Sequence, residues 1–237
     1  MPKIKTRIIP KPLEGRRFAI SDVHGCFHTF SSLLKQIDLK KEDHLYLIGD
    51  MVNRGESTKE VLDLILQLKV EGFQLFYIRG NHEQIIINAS KKSVAQRKRT
   101  LNACKATQLL NGSQVDERYL RLLKDSYHYL DIEDYFLVHA GFNFKLEKPF
   151  ENKYQMLNIR AFKVKKKYLG NRKVVVGHTP KSLSIVITRI QKDKRKIFID
   201  NGCVNQNFIE QGNLICLNLD TMAVSIQKNL EIIAAEE

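Results

Sequence analysis

Ser21-Asp22-Val23-His24-Gly25 follows an apolar run, residues 18–20, that is typical of a short buried strand. The same order recurs twice, with Gly49-Asp50-Met51-Val52-Asn53-Arg54-Gly55 after residues 45–48 and Gly80-Asn81-His82-Glu83 after residues 75–78. These polar turns stand roughly 30 residues apart, the length of one strand–helix–strand unit. Crossover connections make such strands parallel neighbours, so the turns after their carboxyl ends meet in one crevice. We therefore expect their carboxylates, imidazoles and carboxamide to lie close together.

The side chains of these turns suit divalent metal ions. Asp22 and His24 are two positions apart, so an extended segment would present both on one face. Asp50 can bridge two ions, and Asn81 offers a neutral carbonyl oxygen. Two further imidazoles follow apolar, strand-like runs later in the chain, at His139 and His178. Mixed oxygen and nitrogen donors without thiolate favour manganese, iron, zinc or magnesium-like ions over a structural zinc–cysteine site.

The pattern around the turns predicts the other elements. Apolar residues at helical spacing predict a first crossover helix just after Gly25, and residues 57–60 have the form of a capping box that opens a second helix through about Leu68. Residues 84–131 show no strand-like alternation and predict helices that form a cap or lateral insertion. From Ser184, alternation at residues 185–187, 197–199, 214–217 and 223–226 predicts an antiparallel second sheet. The tail after Lys228 is expected to be a final helix or a frayed end.

The ordered motifs resemble the phosphoprotein phosphatase branch of the calcineurin-like metallophosphoesterases, and most of all its small bacterial and bacteriophage lambda type serine/threonine protein phosphatases. The motifs are Asp22-x-His24, Gly49-Asp50-x-Val52-x-Arg54-Gly55, Gly80-Asn81-His82-Glu83, His139-Ala140-Gly141 and Gly177-His178-Thr179-Pro180. The resemblance covers roughly residues 16–225. It implies an α/β fold, a four-layer αββα sandwich of two mixed sheets flanked by helices, as a single domain over residues 1–237 with a helical insertion at about 84–131.

The resemblance also implies a role for each matched residue. It implies two divalent metal ions, manganese first, with iron, zinc or a mixed pair as alternatives, and water activated by both ions as the attacking group. The first ion would be held by Asp22, His24 and Asp50, and the second by Asp50, Asn81, His139 and His178. His82 would protonate the leaving group, while Arg54 and Arg160 would clamp the phosphate. Asp200 would support the ligands without binding metal.

Departures from the family pattern affect the predicted chemistry. Asn53 stands where the family usually has an aspartate that pairs with the histidine matching His82, and an amide cannot stabilise imidazolium by charge. Acid catalysis is expected to weaken, most of all for poor leaving groups. Glu56 replaces a proline often seen after the Arg-Gly pair. The chain has no tryptophan, so Arg160 lacks the neighbour that marks this arginine in the family.

These residues predict a metal-dependent phosphomonoesterase, specifically a serine/threonine or dual-specificity protein phosphatase. A diadenosine polyphosphate hydrolase shares nearly the same motifs and is the first alternative. A non-catalytic scaffold that binds nucleic acid is the second. Nucleases of the wider family commonly end in Gly-His-x-His, whereas Pro180 stands two positions after His178, which argues against a nuclease.

Composition limits the class of protein and its partners. The chain has 237 residues, of which 43% are hydrophobic and 27% charged, as expected of one globular domain. Its net charge of +13 is concentrated near residues 91–99, 163–173 and 192–196, which form either a solvated surface or a surface that attracts polyanions, nucleic acid included. Four scattered cysteines, no apolar leader and no apolar run of about 20 residues predict a cytoplasmic protein with reduced thiols and no membrane contact. We expect a monomer that acts on a phosphorylated protein or a small phosphoester.

Overall fold

The structure is a computed structural model that describes residues 4–231. The strands are β1 Thr6–Ile8, β2 Arg17–Ile20, β3 His44–Ile48, β4 Gln74–Ile78, β5 Leu110–Asn111, β6 Gln114–Val115, β7 Tyr129–Ile132, β8 Tyr135–Val138, β9 Lys173–Val176, β10 Lys196–Phe198, β11 Asn213–Asn218 and β12 Val224–Lys228. The α-helices are α1 Phe27–Gln36, α2 Thr58–Val70, α3 Asn81–Ala89, α4 Val94–Ala103, α5 Glu117–Asp125, α6 Lys153–Asn158, α7 Lys166–Leu169 and α8 Leu183–Gln191.

The three apolar runs that precede the polar turns form the parallel centre of the first sheet. Its strand order is β12-β11-β2-β3-β4, in which β2, β3 and β4 are parallel and β11 and β12 are antiparallel to their neighbours. Leu45 and Leu47 of β3 pack toward the helices, whereas Tyr46 and Ile48 pack toward the second sheet. Both faces are therefore buried, which is why these strands are continuously apolar in sequence.

The second sheet packs face to face on the first and is also mixed. Its order is β1-β7-β8-β9-β10, with β7 and β8 antiparallel and the other pairs parallel. Leu137 and Val175 reach the inner face of the first sheet. On the outer face, Phe142 packs with Met156 of α6 and Leu169 of α7. The order helix, sheet, sheet, helix confirms the four-layer αββα architecture.

Residues 84–131 are mainly helical, but they are not free of strands. A short 3₁₀ turn and the β5–β6 hairpin separate α4 from α5. Leu101 and Leu123 join the core cluster that α1 and α2 form on the first sheet. The prediction that residues 84–131 contain no strand is wrong, because β7 begins at Tyr129. Only two of its residues alternate into the core, which is too few for a recognisable period.

Two predictions for the last third of the chain are also wrong. Residues 183–191 form α8, because the core positions are Val186 and Ile190, four residues apart, while Ile185 is exposed. The strands β11 and β12 extend the first sheet, and β10 lies parallel to β9 in the second. Alternation identifies the buried face of a strand but not the sheet to which the strand belongs.

The first two helices begin where the sequence predicts them. Helix α1 starts two residues after Gly25, and α2 starts at Thr58, although the Ser57 side chain makes no capping hydrogen bond. The prediction for the tail concerns mostly residues beyond 231, which lie outside the described part of the chain. Within residues 4–231, no helix has the length and apolarity needed to cross a membrane.

Candidate metal centre

The six ligands predicted from the sequence all follow strands. Asp22 and His24 follow β2, Asp50 follows β3, Asn81 follows β4, His139 follows β8 and His178 follows β9. The two sheets are joined at this edge, because the backbone N–H of His178, after β9 of the second sheet, donates to the carboxylate of Asp22, after β2 of the first, at 3.0 and 3.1 Å. The site therefore forms where the carboxyl ends of strands from both sheets meet, as expected for an open α/β sheet.

Asp50 lies at the centre of the cluster. Its Oδ2 is 3.3 Å from Nε2 of His139, 3.7 Å from Nε2 of His24 and 4.0 Å from Nε2 of His82. The donor atoms of His24, Asp50 and His82 lie within 4.8 Å of one another, and so do those of Asp50, His139 and His178. One carboxylate is thus shared by two potential metal-binding triads, which is the arrangement a bridging ligand requires.

Asn81 and Asp22 complete the cluster in different ways. Oδ1 of Asn81 is 3.0 Å from Nε2 of His139, inside the second triad. The Asp22 carboxylate accepts the backbone N–H of His178 at 3.0 and 3.1 Å and the hydroxyl of Ser21. It lies beside the triads and connects the end of β2 to the end of β9.

The backbone at the site is not extended, so the expected geometry of Asp22 and His24 is wrong. Their φ angles are +47° and +50°, in the left-handed region that residues other than glycine rarely adopt. The same region is occupied by four further site residues: Asp50, Asn53, Arg54 and His178. Hydrogen bonds between the turns hold this backbone, with the N–H of His24 donating to the Asp50 carbonyl and that of Gly55 donating to the His24 carbonyl, both at 2.9 Å. Such local strain persists only when surrounding contacts fix it, and it concentrates at functional sites.

Two imidazole rings are oriented as metal ligands usually are. Nδ1 of His24 is 3.0 Å from the carbonyl of Val52, and Nδ1 of His139 is 3.0 Å from the carbonyl of Ile48. A carbonyl only accepts, so each Nδ1 carries a proton, and Nε2, which faces Asp50, is the nitrogen able to coordinate a metal. Backbone carbonyls behind ligating histidines commonly fix the ring in this way.

The electrostatics of the cluster fit a cation. Nε2 of His139 is also 3.2 Å from Nδ1 of His178, so two ring nitrogens that can coordinate a cation face each other at close range. Burial lowers the pKa of His24 to about 3 and that of His178 to about 4, which leaves both rings neutral and able to coordinate. Burial acts to lower the pKa of His139 as well, but the charge of Asp50 outweighs it and raises this pKa to about 10. A proton on His139 thus takes the place of a cation and leaves when metal binds. These donors fit a pair of divalent ions.

Asp200 lies behind the ligands, where the sequence predicts a supporting residue. Its Oδ1 accepts the backbone N–H of Gly202 at 2.7 Å, and burial raises its pKa to about 6. Burial, followed by the charge of Asp200, raises the pKa of Asp22. Two buried carboxylates close to each other are favoured by a nearby cation, but the supporting role itself stays a prediction.

Glu83 is a structural residue of the site whose role was not predicted from the sequence. It is 0% exposed, and its carboxylate accepts the backbone N–H groups of Asp50 at 2.9 Å, Met51 at 2.8 Å and Gly80 at 2.6 Å, with the Tyr77 hydroxyl at 2.9 Å. The available signal was a glutamate at the third position of α3 behind a glycine N-cap, which is half of a capping box.

The predicted acid and phosphate-binding residues surround the cluster. His82 is hydrogen-bonded through Nδ1 to the Asn53 amide at 3.0 Å, and its Nε2 faces Asp50. Burial lowers the pKa of His82, and the positive charge of Arg54 adds to this effect. Burial and His139 lower the pKa of His178, with a further contribution from Arg160. Both arginines are exposed, Arg54 acts on His82 and Arg160 acts on His178, and their roles as a clamp stay predictions.

Known proteins match this chain in sequence and in fold. A family model of calcineurin-like phosphoesterases matches residues 16–205. The symmetrical bis(5'-nucleosyl)-tetraphosphatase of Wigglesworthia glossinidia brevipalpis is 30% identical over 128 residues, which are 52% of this chain and 44% of that protein. The enzyme of the same name from Aromatoleum aromaticum is 33% identical over 130 residues, 52% of this chain and 43% of that protein. The matched segment spans less than half the length of these curated relatives.

Solved structures share the fold over nearly the whole chain. A putative diadenosine tetraphosphatase has a TM-score of 0.69 at 18% identity and covers 94% of this chain and 97% of its own. A protein serine/threonine phosphatase from Saccharomyces cerevisiae has a TM-score of 0.63 at 14% identity, with 97% of this chain and 85% of its own covered. The resemblance read from the ordered motifs is confirmed at the level of the calcineurin-like family.

We predict that Glu83→Ala destabilises the protein by about 3–5 kcal/mol, because three buried backbone N–H groups lose their acceptor. Urea unfolding of the metal-free protein measures the change. Tyr77→Phe, which removes only the hydroxyl contact, should cost about 1 kcal/mol, and the exposed Glu60→Ala serves as control. A loss below about 1 kcal/mol for Glu83→Ala would contradict the anchoring role.

We predict that Asp50→Asn removes both metal ions, since this carboxylate belongs to both triads and an amide cannot bridge two cations with the same charge. Elemental analysis of the dialysed protein should fall from two ions per chain to fewer than one. Asp193→Asn, at an exposed turn, is the matched control and should keep both. Retention of two ions in Asp50→Asn would show that the bridge is not needed.

Proposed function

The chain belongs to the calcineurin-like phosphoesterase family, whose members use a dinuclear divalent metal centre, and we propose that it hydrolyses the phosphoanhydride of dinucleoside polyphosphates. Membership makes the chain a metal-dependent phosphoesterase. The proposed reaction is the symmetrical one, in which diadenosine tetraphosphate and one water give two molecules of ADP. Manganese is the first ion to supply.

The observation that carries this proposal is the hydrogen bond between Nδ1 of His82 and the Asn53 amide, at 3.0 Å. Protonation of the leaving group requires an imidazolium, which donates from both nitrogens. In the structure the amide nitrogen of Asn53 faces Nδ1 and donates to it, an arrangement that suits the neutral ring, and the amide carries no charge to balance a protonated one. A serine alkoxide is a poor leaving group that needs this proton, whereas the terminal phosphate of a nucleotide leaves as a stabilised anion. The local chemistry therefore favours an anhydride over an alkyl ester.

Each residue contributes to the reaction through its position. Asp22, His24, Asp50, Asn81, His139 and His178 would hold the two ions, which when bound supply an activated water and balance the phosphate charge. Arg54 acts on His82 and Arg160 acts on His178, and guanidinium groups suit bidentate contact with phosphate oxygens. His82 presents Nε2 toward the cluster and holds the proton for the departing group. The hydrogen bonds between the backbone turns around Asp50 keep these groups in place before substrate arrives.

The curated relatives support the same substrate. The proteins of Wigglesworthia glossinidia brevipalpis and Aromatoleum aromaticum are named symmetrical bis(5'-nucleosyl)-tetraphosphatases. Their match covers about half of this chain and less than half of their own length. The non-catalytic scaffold alternative is disfavoured, because every matched ligand is present in the sequence and three of them, His24, His139 and His178, group around Asp50.

Hydrolysis of phosphoserine or phosphothreonine in proteins is the second candidate. It is favoured by Arg54, whose side chain is exposed beside the buried cluster and forms no salt bridge with another residue of the described chain. An exposed guanidinium at the rim can reach a phosphate that projects from a protein surface. Phosphomonoester hydrolysis is the activity that the ordered motifs predict. The nature of the leaving group distinguishes the two candidates.

Product analysis tests the proposal directly. We expect the protein loaded with manganese to convert diadenosine tetraphosphate to ADP alone, as resolved by ion-exchange chromatography, with a kcat/KM at least 100-fold above that for a phosphoserine peptide, in line with the usual contribution of general acid catalysis. The appearance of ATP and AMP would indicate asymmetric cleavage. A higher kcat/KM for the phosphopeptide would overturn the proposal in favour of the second candidate.

We predict that Asn53→Asp raises kcat for a phosphoserine peptide about tenfold or more, because a carboxylate stabilises the imidazolium of His82. The rate for diadenosine tetraphosphate should change less than threefold, since its leaving group depends less on protonation. The exposed Asn171→Asp makes the same chemical change away from the site. Equal increases for both substrates would show that leaving-group protonation does not distinguish them.

A further inference from the structure

A basic cleft has Arg160, a predicted phosphate-binding residue, in its wall, and its other cationic residues have no role in the proposed reaction. It encloses about 570 Å³ and is lined by six cationic side chains, Lys145, Arg160, Lys163, Lys165, Lys181 and Lys196. No acidic residue lines it, and none of the six forms a salt bridge with another residue in the described part of the chain. The volume is within the range of sites for small molecules and cofactors.

Two chain segments lead from predicted metal ligands to the wall of the cleft. The segment after His139 reaches it at Lys145, and the segment after His178 reaches it at Lys181. The ring of Phe162 packs so closely on Gly141 that a Cβ there would lie 2.1 Å from it. The charge of Arg160 acts on His178 from the side of the cleft. Arg160 therefore lies between the cleft that it lines and the metal ligand on which its charge acts.

The cations are placed around aromatic rings. Nζ of Lys196 is 4.4 Å from the centre of the Phe162 ring and 5.0 Å from that of Phe198. Nζ of Lys181 is 5.3 Å from the centre of the Phe198 ring, and both residues line the cleft. Both rings are half-buried and so keep some surface free. Cationic groups next to available rings match a ligand that combines phosphate with a flat base.

The charges in the cleft repel one another. Burial lowers the pKa of Lys196, and the charges of Arg189 and Lys181 add to the effect. An anion in the cleft would relieve this repulsion, and a guanidinium with several ammonium groups matches a chain of phosphates.

A second basic recess shows what distinguishes this one. It encloses about 530 Å³ beside β4 and is lined by Lys5, Arg118 and other cations. Lys5 is paired with Asp125 at 2.9 Å, and Arg118 with Asp116 at 3.1 Å, so its charge is partly neutralised within the protein. No predicted metal ligand lines either space, but Arg160, a predicted phosphate-binding residue, lines the basic cleft and no such residue lines the second recess. The second recess therefore has less unpaired charge and no predicted site residue in its wall.

We infer that the basic cleft is a binding subsite for a nucleoside diphosphate, with the diphosphate among its lysines and the base against Phe162 and Phe198. This inference rests on the proposed function, because the occupant would be the half of the dinucleoside polyphosphate that extends away from the metals. The subsite provides the contacts that hold the leaving nucleotide.

The first experiment measures binding without turnover. Isothermal titration calorimetry of ADP in EDTA compares the wild-type protein with Lys163→Gln/Lys181→Gln and with the control Lys35→Gln/Lys41→Gln, which removes the same charge from exposed positions at α1 and the loop after it. We expect the dissociation constant for ADP to rise about tenfold in the cleft variant, the loss expected for two exposed charge contacts, and to stay within twofold of wild type in the control. Equal constants in the two variants would overturn the inference.

A second variant tests whether the nucleotide base stacks on the Phe198 ring. Phe198→Leu keeps an apolar side chain, and we expect it to weaken ADP binding about fivefold while leaving inorganic pyrophosphate unchanged, because only the nucleotide stacks. Equal weakening of both ligands would show that the ring contributes to folding rather than to recognition. Loss of binding to a short single-stranded DNA in the cleft variant with unchanged ADP binding would overturn the inference in favour of a nucleic-acid surface.

Kinetics separate the subsite from the proposed function. In the cleft variant, KM for diadenosine tetraphosphate should rise about tenfold, while KM for nitrophenyl phosphate, which has no second half, should change less than twofold. Failure of the wild-type protein to cleave diadenosine tetraphosphate, together with ADP binding that the cleft variant loses, would refute the proposed substrate and retain the nucleotide site. Cleavage with an unchanged KM in the cleft variant would retain the function and refute the subsite.

Discussion

The buried carboxylate of Glu83 holds the two central turns of the site together. It accepts backbone N–H groups from Asp50 and Met51 at the end of β3 and from Gly80 at the start of α3. A buried carboxylate is costly in free energy unless its oxygens are hydrogen-bonded, and here both oxygens are. The separation between Asp50 and Asn81 is thereby set by a residue that need not touch metal or substrate. Glu83 thus holds the backbone of these two turns through hydrogen bonds that do not involve the side chain of Asn81 or Asp50.

Close backbone approach completes this arrangement. A Cβ at Gly80 would lie 2.1 Å from Oδ1 of Asp50, and one at Gly177 would lie 2.0 Å from Oδ2 of Asp22. Any larger residue would displace a carboxylate, so these glycines permit the two oxygen ligands to be packed directly against the main chain. Together with the left-handed backbone at six site residues, this packing fixes the donors before an ion arrives. The same constraint explains why polar turns, rather than regular elements, carry the ligands.

The sequence predicts the parts of the fold that follow from strong local signals. Repeated apolar runs with polar turns identify β2, β3 and β4, and their parallel pairing brings Asp50 next to Asn81 and His24. It does not reveal that β11 joins this sheet, because pairing of strands distant in sequence depends on packing across the whole molecule. It also does not reveal that Asp22 and His24 occupy left-handed backbone, or that His82 lies within reach of Asp50. Those features arise from hydrogen bonds between turns, which no local pattern encodes.

Asn53 and the basic cleft favour the same kind of substrate in the proposed function. The amide of Asn53 in place of a carboxylate gives His82 less help in protonating a leaving group. The unpaired cations near Lys163 and Lys181 give more help in binding negative charge. A substrate whose leaving group is itself a chain of phosphates needs less protonation and carries more charge than an alkyl phosphate. The proposed subsite would give part of the chain's net charge of +13 a physical reason, since positive charge near the predicted phosphate-binding residues would stabilise a departing anion without a protonated histidine.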